Sequence, residues 1–128
     1  MSHFSRIKTR LVAKEYLIKA LRDLGFQPKE GNVKIRGYNG RQTDVEVMAL
    51  TKNPGYDLGF RKTGDAYELV ADWYGIKDIN PETFLNQLQQ RYAYHAVTSR
   101  MAEQGFEVVE EENLEDKSIH LTVRRAIF

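Results

Sequence analysis

The sequence predicts an α+β fold: a single antiparallel sheet of about seven strands with two helices packed on one face. Three observations predict it. Period-two alternation of apolar and polar residues recurs along the chain, and two stretches, 14–24 and 81–104, change to the 3.6-residue period of a helix. The breaks between them carry Gly, Pro and Asn at turn spacing. With 128 residues, 41% hydrophobic and 29% charged, the chain fits one domain, 1–128, around one core.

Residues 5–12, SRIKTRLV, set Ile7, Thr9 and Leu11 on one side and Arg6, Lys8 and Arg10 on the other, a strand with one wet, basic face. Leu17, Ala20, Leu21 and Leu24 then follow i, i+3, i+4, i+7, the apolar stripe of a helix over Lys14 to Leu24. Gly25 stands at its left-handed cap and Phe26 can fold back on the last turn. After Pro28 and Gly31-Asn32, residues 33–36 read as a second strand. Asn39-Gly40 is a type I′ hairpin signal, because both central residues of that turn need positive φ. The third strand has Val45 and Val47 inward, with Asp44 and Glu46 outward. Asn53-Pro54-Gly55 turns the chain into a fourth, in which Tyr56, Leu58 and Phe60 alternate in phase.

Thr63-Gly64-Asp65 returns the chain into YELVADWYG, the stretch the other elements are arranged around. Tyr67, Leu69, Ala71 and Trp73 fall on its inward face, Glu68, Val70 and Asp72 on the other. Trp73, the only tryptophan, is expected to anchor the core. Asn80, Pro81 and Glu82 supply N-cap, first helical position and acidic first turn for a helix running to Gln104. At 1.5 Å per residue it spans roughly 37 Å and must kink or overhang the sheet. Gly105-Phe106 repeats the Gly25-Phe26 ending, and Glu107 to Glu112 with Ile119 to Arg125 form a last hairpin. The two endings suggest a duplicated strand-helix-strand-strand unit; a common capping habit gives the same pattern.

Composition excludes several function classes. A formal charge of +1, from 19 basic and 18 acidic side chains, gives no whole-molecule steering toward nucleic acid or anionic membrane. The absence of cysteine removes disulfides and thiolate chemistry and fits a reducing compartment. No apolar run reaches the ~20 residues of a membrane span, and MSHFSRIKTR lacks the apolar stretch of a signal peptide, so a cytosolic or stromal protein is expected.

SHFSRIKTRL at the start, YDLGF and YELVADWYGI in the middle, QRYAYHAV in the long helix and GFEVVEEE with IHLTVRR at the end resemble one family of cyanobacterial and plastid proteins. It is the frame thirty-five type of hypothetical chloroplast reading frame, also classed as a domain of unknown function. The likeness runs nearly end to end. It implies the cytosol of a cyanobacterium or a plastid stroma and a link to photosynthesis or its gene expression, and it supplies no catalytic residue, cofactor or metal ligand.

The residues themselves carry no catalytic signature. His3, His95 and His120 are far apart in sequence, without a second ligand at helical or hairpin spacing. Glu110, Glu111, Glu112, Glu115 and Asp116 lack the spacing of a calcium loop and read as a solvated turn. No phosphate-binding glycine loop or nucleophile elbow is present. An enzyme would therefore need a cleft built around His95 or Asp72.

Two surfaces remain as binding candidates. Arg6, Lys8, Arg10, Lys34, Arg36, Arg124 and His120 fall on the outward sheet face and merge into one basic region if the terminal strands are neighbours. Cations that guard sheet edges are the plainer explanation. Tyr74, Arg91, Tyr94 and His95 would make a partner-docking spot beside the overhanging helix. Tyr92 and Tyr94 lie ~200° apart on that helix, so at most one of them is core. The leading expectation is a small non-catalytic binding or regulatory protein working through an unidentified protein partner, homodimers included. Nucleic-acid binding through the basic face is the alternative, disfavoured because the aromatics lie in phase with the core.

Overall fold

The alternating segments assemble into two sheets. The computed structural model describes residues 3–116 and 118–126. In chain order these form β1 (Ser5–Lys8), α1 (Lys14–Asp23), β2 (Lys29–Arg36), β3 (Gln42–Leu50), β4 (Asp57–Thr63), β5 (Ala66–Ala71), α2 (Pro81–Glu103), β6 (Phe106–Asn113) and β7 (Ile119–Arg125). The first five strands make an antiparallel sheet in the order β1-β5-β4-β3-β2, and β6 pairs antiparallel with β7 alone. The α+β class and the strand positions follow the sequence. The single seven-stranded sheet does not form, and β1 and β7 are not neighbours.

The length of α2 explains the division. Its first half docks on the sheet through Phe84 and Leu88, its buried positions. The 23-residue helix spans roughly 35 Å, so its second half runs beyond the sheet and carries the β6–β7 hairpin with it. The helix starts as its sequence predicts, Asn80 Oδ1 accepting the Thr83 N–H at 3.0 Å with Pro81 in the first turn. Both helices end on left-handed glycines, Gly25 at φ +92° and Gly105 at φ +85°. The likeness of the two halves stops there, because β2–β3 joins the main sheet and β6–β7 does not.

The main core lies between the sheet and the two helices. Leu17, Ala20 and Leu21 of α1 meet Leu58 and Phe60 of β4 and Tyr67, Leu69 and Ala71 of β5, all in the predicted phase. Trp73 does not continue that face. β5 stops at Ala71, Trp73 opens a short 3₁₀ turn, and its ring is only partly buried against the core. Phe60, with the leucines, takes the anchoring place instead.

The opposite face holds a second core that the alternation reads as polar. Ile35, Val45, Met48 and Val70 are buried together there, with Phe4 and Val33 against them. β3 pairs with β4 only from Val47 to Leu50, while its first half, Gln42 to Val45, stays with β2 alone. That arm bends across the outer face and brings Ile35 and Val45 over Gly59. Val45 therefore belongs to this second core and not, as expected, with Val47. A Cβ on Gly59 would lie 2.8 Å from both Ile35 Cγ2 and Val45 Cγ1, so the glycine permits the close approach. At the tip Asn39 (φ +58°) and Gly40 (φ +74°) adopt the expected left-handed pair. The tip reaches the end of β5, where the Tyr38 N–H donates to Asp72 at 2.8 Å and Phe4 closes on Gly37.

Candidate interaction surfaces

The seven basic candidates do not merge. β1 and β2 are opposite edges of the main sheet, and β7 belongs to the other. Three of the seven are neutralised: Lys34 by Asp44 at 3.4 Å, Arg36 by Asp57 at 2.9 Å and Arg124 by Glu107. The Arg36 contact is the most elaborate. Its backbone N–H, Nε and one terminal nitrogen all donate to Asp57, a fully buried carboxylate at the start of β4, and the Asp57 charge holds the guanidinium pKa above its usual value, chiefly through the hydrogen bond. Arg6, Lys8, Arg10 and His120 are exposed, and Arg6, Lys8 and Arg10 make no ion pair among the described residues.

The four docking candidates divide as well. Arg91, Tyr94 and His95 come together on α2, and the structure adds two carboxylates: Asp23, which the sequence did not single out, and Glu111, which it read as part of a solvated turn. Asp23, at the end of α1, accepts from Arg91 Nε at 2.9 Å and from His95 Nε2 at 2.6 Å. An ionised carboxylate only accepts, so His95 presents Nε2–H to it. Burial alone would raise the Asp23 carboxyl, but the hydrogen bonds and charges of Arg91 and His95 bring it below the usual aspartate value. Glu111 on β6 completes the group, 3.7 Å from Arg91, whose guanidinium lies 4.4 Å from the centre of the Tyr94 ring. Burial raises the Tyr94 hydroxyl, and the charge and hydrogen bond of Glu111 raise it further. This cluster fastens the end of α1 and the hairpin to the middle of α2.

Tyr74 belongs to another cluster. It is 60% exposed and meets Tyr38, 43% exposed, edge-on with ring centres 5.4 Å apart. Asp72 holds both turns in place. Its buried carboxylate accepts the Tyr38 N–H at 2.8 Å and the Tyr74 N–H at 3.1 Å. The Asp72 carboxylate thus shapes two turns, and His95 is hydrogen-bonded to Asp23. Among the described residues no three His, Asp or Glu side chains converge to hold a metal ion. No helix among them is long and apolar enough to cross a membrane.

A groove of about 250 Å³ opens where α2 overhangs, between Gln90, Ala93, Tyr94 and Val97 of the helix and Ile119 and Leu121 of β7. Val108, Ile119, Leu121 and Val123, the apolar side of the hairpin, are only half buried, and Val97 and Val109 are 44% and 47% exposed. The outer edges of both strands are unpaired among the described residues. An overhanging helix was legible in the sequence. The groove was not, because it depends on which face of α2 the hairpin covers.

Comparison with known proteins gives family without mechanism. The profile described as "Protein of unknown function (DUF1257)" matches residues 20–122. Relatives called "Uncharacterized protein ycf35" are 38% identical over 126 residues in Cyanophora paradoxa, 36% over 126 in Guillardia theta and 34% over 130 in Pyropia yezoensis, covering 98% of both chains each time. No solved structure matches the chain. A profile match over residues 20–122, with relatives in three organisms similar over 98% of the chain, shows that the chain belongs to the DUF1257 family.

Proposed function

We propose that the protein works by binding another protein, without catalysis of its own, through the unit made by the second half of α2 and the β6–β7 hairpin. The observation that carries this reading is the half-covered apolar side of the hairpin and the groove beside it. A two-stranded sheet is marginal alone, and apolar side chains left partly exposed beside unpaired strand edges gain burial when a partner covers them. The Arg91–Asp23–His95 cluster holds the groove wall in one conformation, which lowers the entropy lost on docking. The family resemblance supports the cytosol of a cyanobacterium or a plastid stroma as the place of action, with a role connected to photosynthesis or its gene expression.

Val97→Glu places a charge on the exposed rim of the groove without touching the main core. Affinity capture from a native extract, followed by mass spectrometry, should recover a reproducible partner with the native chain and lose it with V97E. Capture that V97E leaves unchanged, or no partner over repeated purifications, would overturn the reading.

A further inference from the structure

We propose that the outer edge of β1 takes an extended acidic segment of a partner protein as an added antiparallel strand. β1 is a terminal strand of the main sheet, pairing with β5 on one side and with no strand on the other among the described residues. Its register sets Arg6 opposite Val70 and Lys8 opposite Glu68, so both cations stand on the outer face while Ile7 packs against the main core. Arg10 continues the alternation past the end of the strand. Alternate residues of a strand are about 6.8 Å apart, the same interval at which an extended peptide presents alternate side chains. An added strand with acids at every second position would therefore set one carboxylate beside each cation while its backbone satisfies the open edge.

The charge on this edge meets no acidic partner among the described residues. Lys34, Arg36 and Arg124 each have an acidic partner, whereas Arg6, Lys8 and Arg10 have none among the described residues. The one acid across from them, Glu68, is buried and accepts the Thr63 hydroxyl at 2.6 Å. A second copy of β1 does not fit. Antiparallel registers that keep Ile7 on the core face and pair three or more residues of each β1 set Arg6 or Lys8 opposite Arg6 or Lys8, and like charges directly opposite repel. β6 of a second copy is also acidic; its pairing to β1, reciprocal or head-to-tail, would appear as self-association, which the test below separates from capture of a partner segment. Single-stranded nucleic acid would need exposed rings to stack on; Phe4 and Tyr67 are packed into the two cores, but the exposed Tyr38–Tyr74 pair stands at the end of β5 near the start of β1, so an oligonucleotide is kept as a competing probe.

The test uses the full chain and three fluorescent probes: a nine-residue peptide alternating glutamate with valine, its lysine–valine counterpart and a short oligouridylate. Anisotropy should show the acidic peptide bound, about tenfold more weakly when salt rises from 50 to 300 mM, and the lysine peptide unbound. Arg6→Glu with Lys8→Glu should weaken binding at least tenfold, and Arg6→Gln with Lys8→Gln by less, both melting with the native chain because these side chains are exposed. Hydrogen exchange should slow at residues 5–9 when the acidic peptide is present. V97E should change nothing here, which separates this surface from the groove. The proposal is overturned if the acidic peptide fails to bind at millimolar concentration, or if the lysine peptide binds equally. Oligouridylate binding in preference through the same cations, or self-association that R6E/K8E abolishes, would overturn it too.

Discussion

Gly59→Ala tests the least expected feature of the fold, the arm of β2 and β3 lying across the outer sheet face. The new methyl would sit 2.8 Å from Ile35 Cγ2 and Val45 Cγ1 and 3.2 Å from Ile35 Cδ1. Carbon atoms prefer about 3.5–4.0 Å, and all three partners belong to buried side chains. Overpacking of this kind costs about 1–3 kcal/mol, and two contacts short by about 0.7 Å or more put this site near the upper end. Alanine recovers about 0.5–1 kcal/mol over glycine within a strand, so the net loss should be about 2 kcal/mol. Ile35→Ala alone should cost about 2–5 kcal/mol by leaving a cavity. The double variant should lose at least ~1 kcal/mol less than the sum, because the shortened side chain at position 35 no longer meets the methyl introduced at position 59. Urea unfolding measures all three chains, with a slope of about 1–3 kcal/mol per molar putting the Gly59→Ala midpoint roughly 1 M lower. A Gly59→Ala chain as stable as the native one, or strict additivity in the double variant, would refute the placement of the arm.

Other predictions concern polar contacts that hold the elements together. α1 has no side-chain cap at Ala13. The Tyr92 hydroxyl of α2 accepts the N–H groups of Val12 at 3.1 Å and Ala13 at 2.8 Å in its place. Tyr92→Phe should therefore cost about 1–2 kcal/mol in thermal unfolding while the aromatic packing stays, and an unchanged midpoint would remove the capping role. Asp72→Ala leaves the Tyr38 and Tyr74 N–H groups without their acceptor and should cost about 2–4 kcal/mol. Exchange at those two amides should accelerate well before global unfolding. The folded pKa of Asp23 lies below its unfolded value, so its contribution to stability is complete above the unfolded aspartate value of about 3.9 and disappears as pH falls through the lower folded value. Native and Asp23→Asn chains should accordingly differ in urea midpoint at pH 6 and converge toward pH 2; a constant gap would contradict the linkage.

Much of the chain could be read from local chemistry. The period of two in β4 and β5, the i, i+3, i+4 stripe of α1, the Asn80-Pro81 start of α2 and the Asn39-Gly40 turn are all where the residues put them. These are short-range preferences, set by side-chain alternation and by the φ angles that Gly, Asn and Pro tolerate, so no distant contact is needed to decide them. That Tyr92 and Tyr94 cannot both be core was legible as well, but which one is core was not: in the folded chain Tyr92 packs on the main core and Tyr94 turns to the hairpin side.

Sequence by itself thus determined the elements, most of their faces and the family, but not the faces of Val45 and Trp73. Tertiary structure alone decided which edges meet, which charges are neutralised and which apolar face is covered twice. Val70 illustrates the difference. Between Glu68 and Asp72 it looks like a lone apolar residue on a wet face, yet it is buried beneath an arm arriving from β2 and β3. Gly59, in the middle of a buried strand, was the one local sign that another segment passes close by. Alternation sets the side to which a residue points while the strand keeps its course, and Val45, carried across by the bend of β3, is the exception; what waits on either side depends on strand order and on that bending, which are set by the balance of packing over the whole chain. The same holds for Arg6 and Arg36. Both are cations at alternate positions of a strand, and only the folded chain brings a carboxylate to one and leaves the other facing solvent.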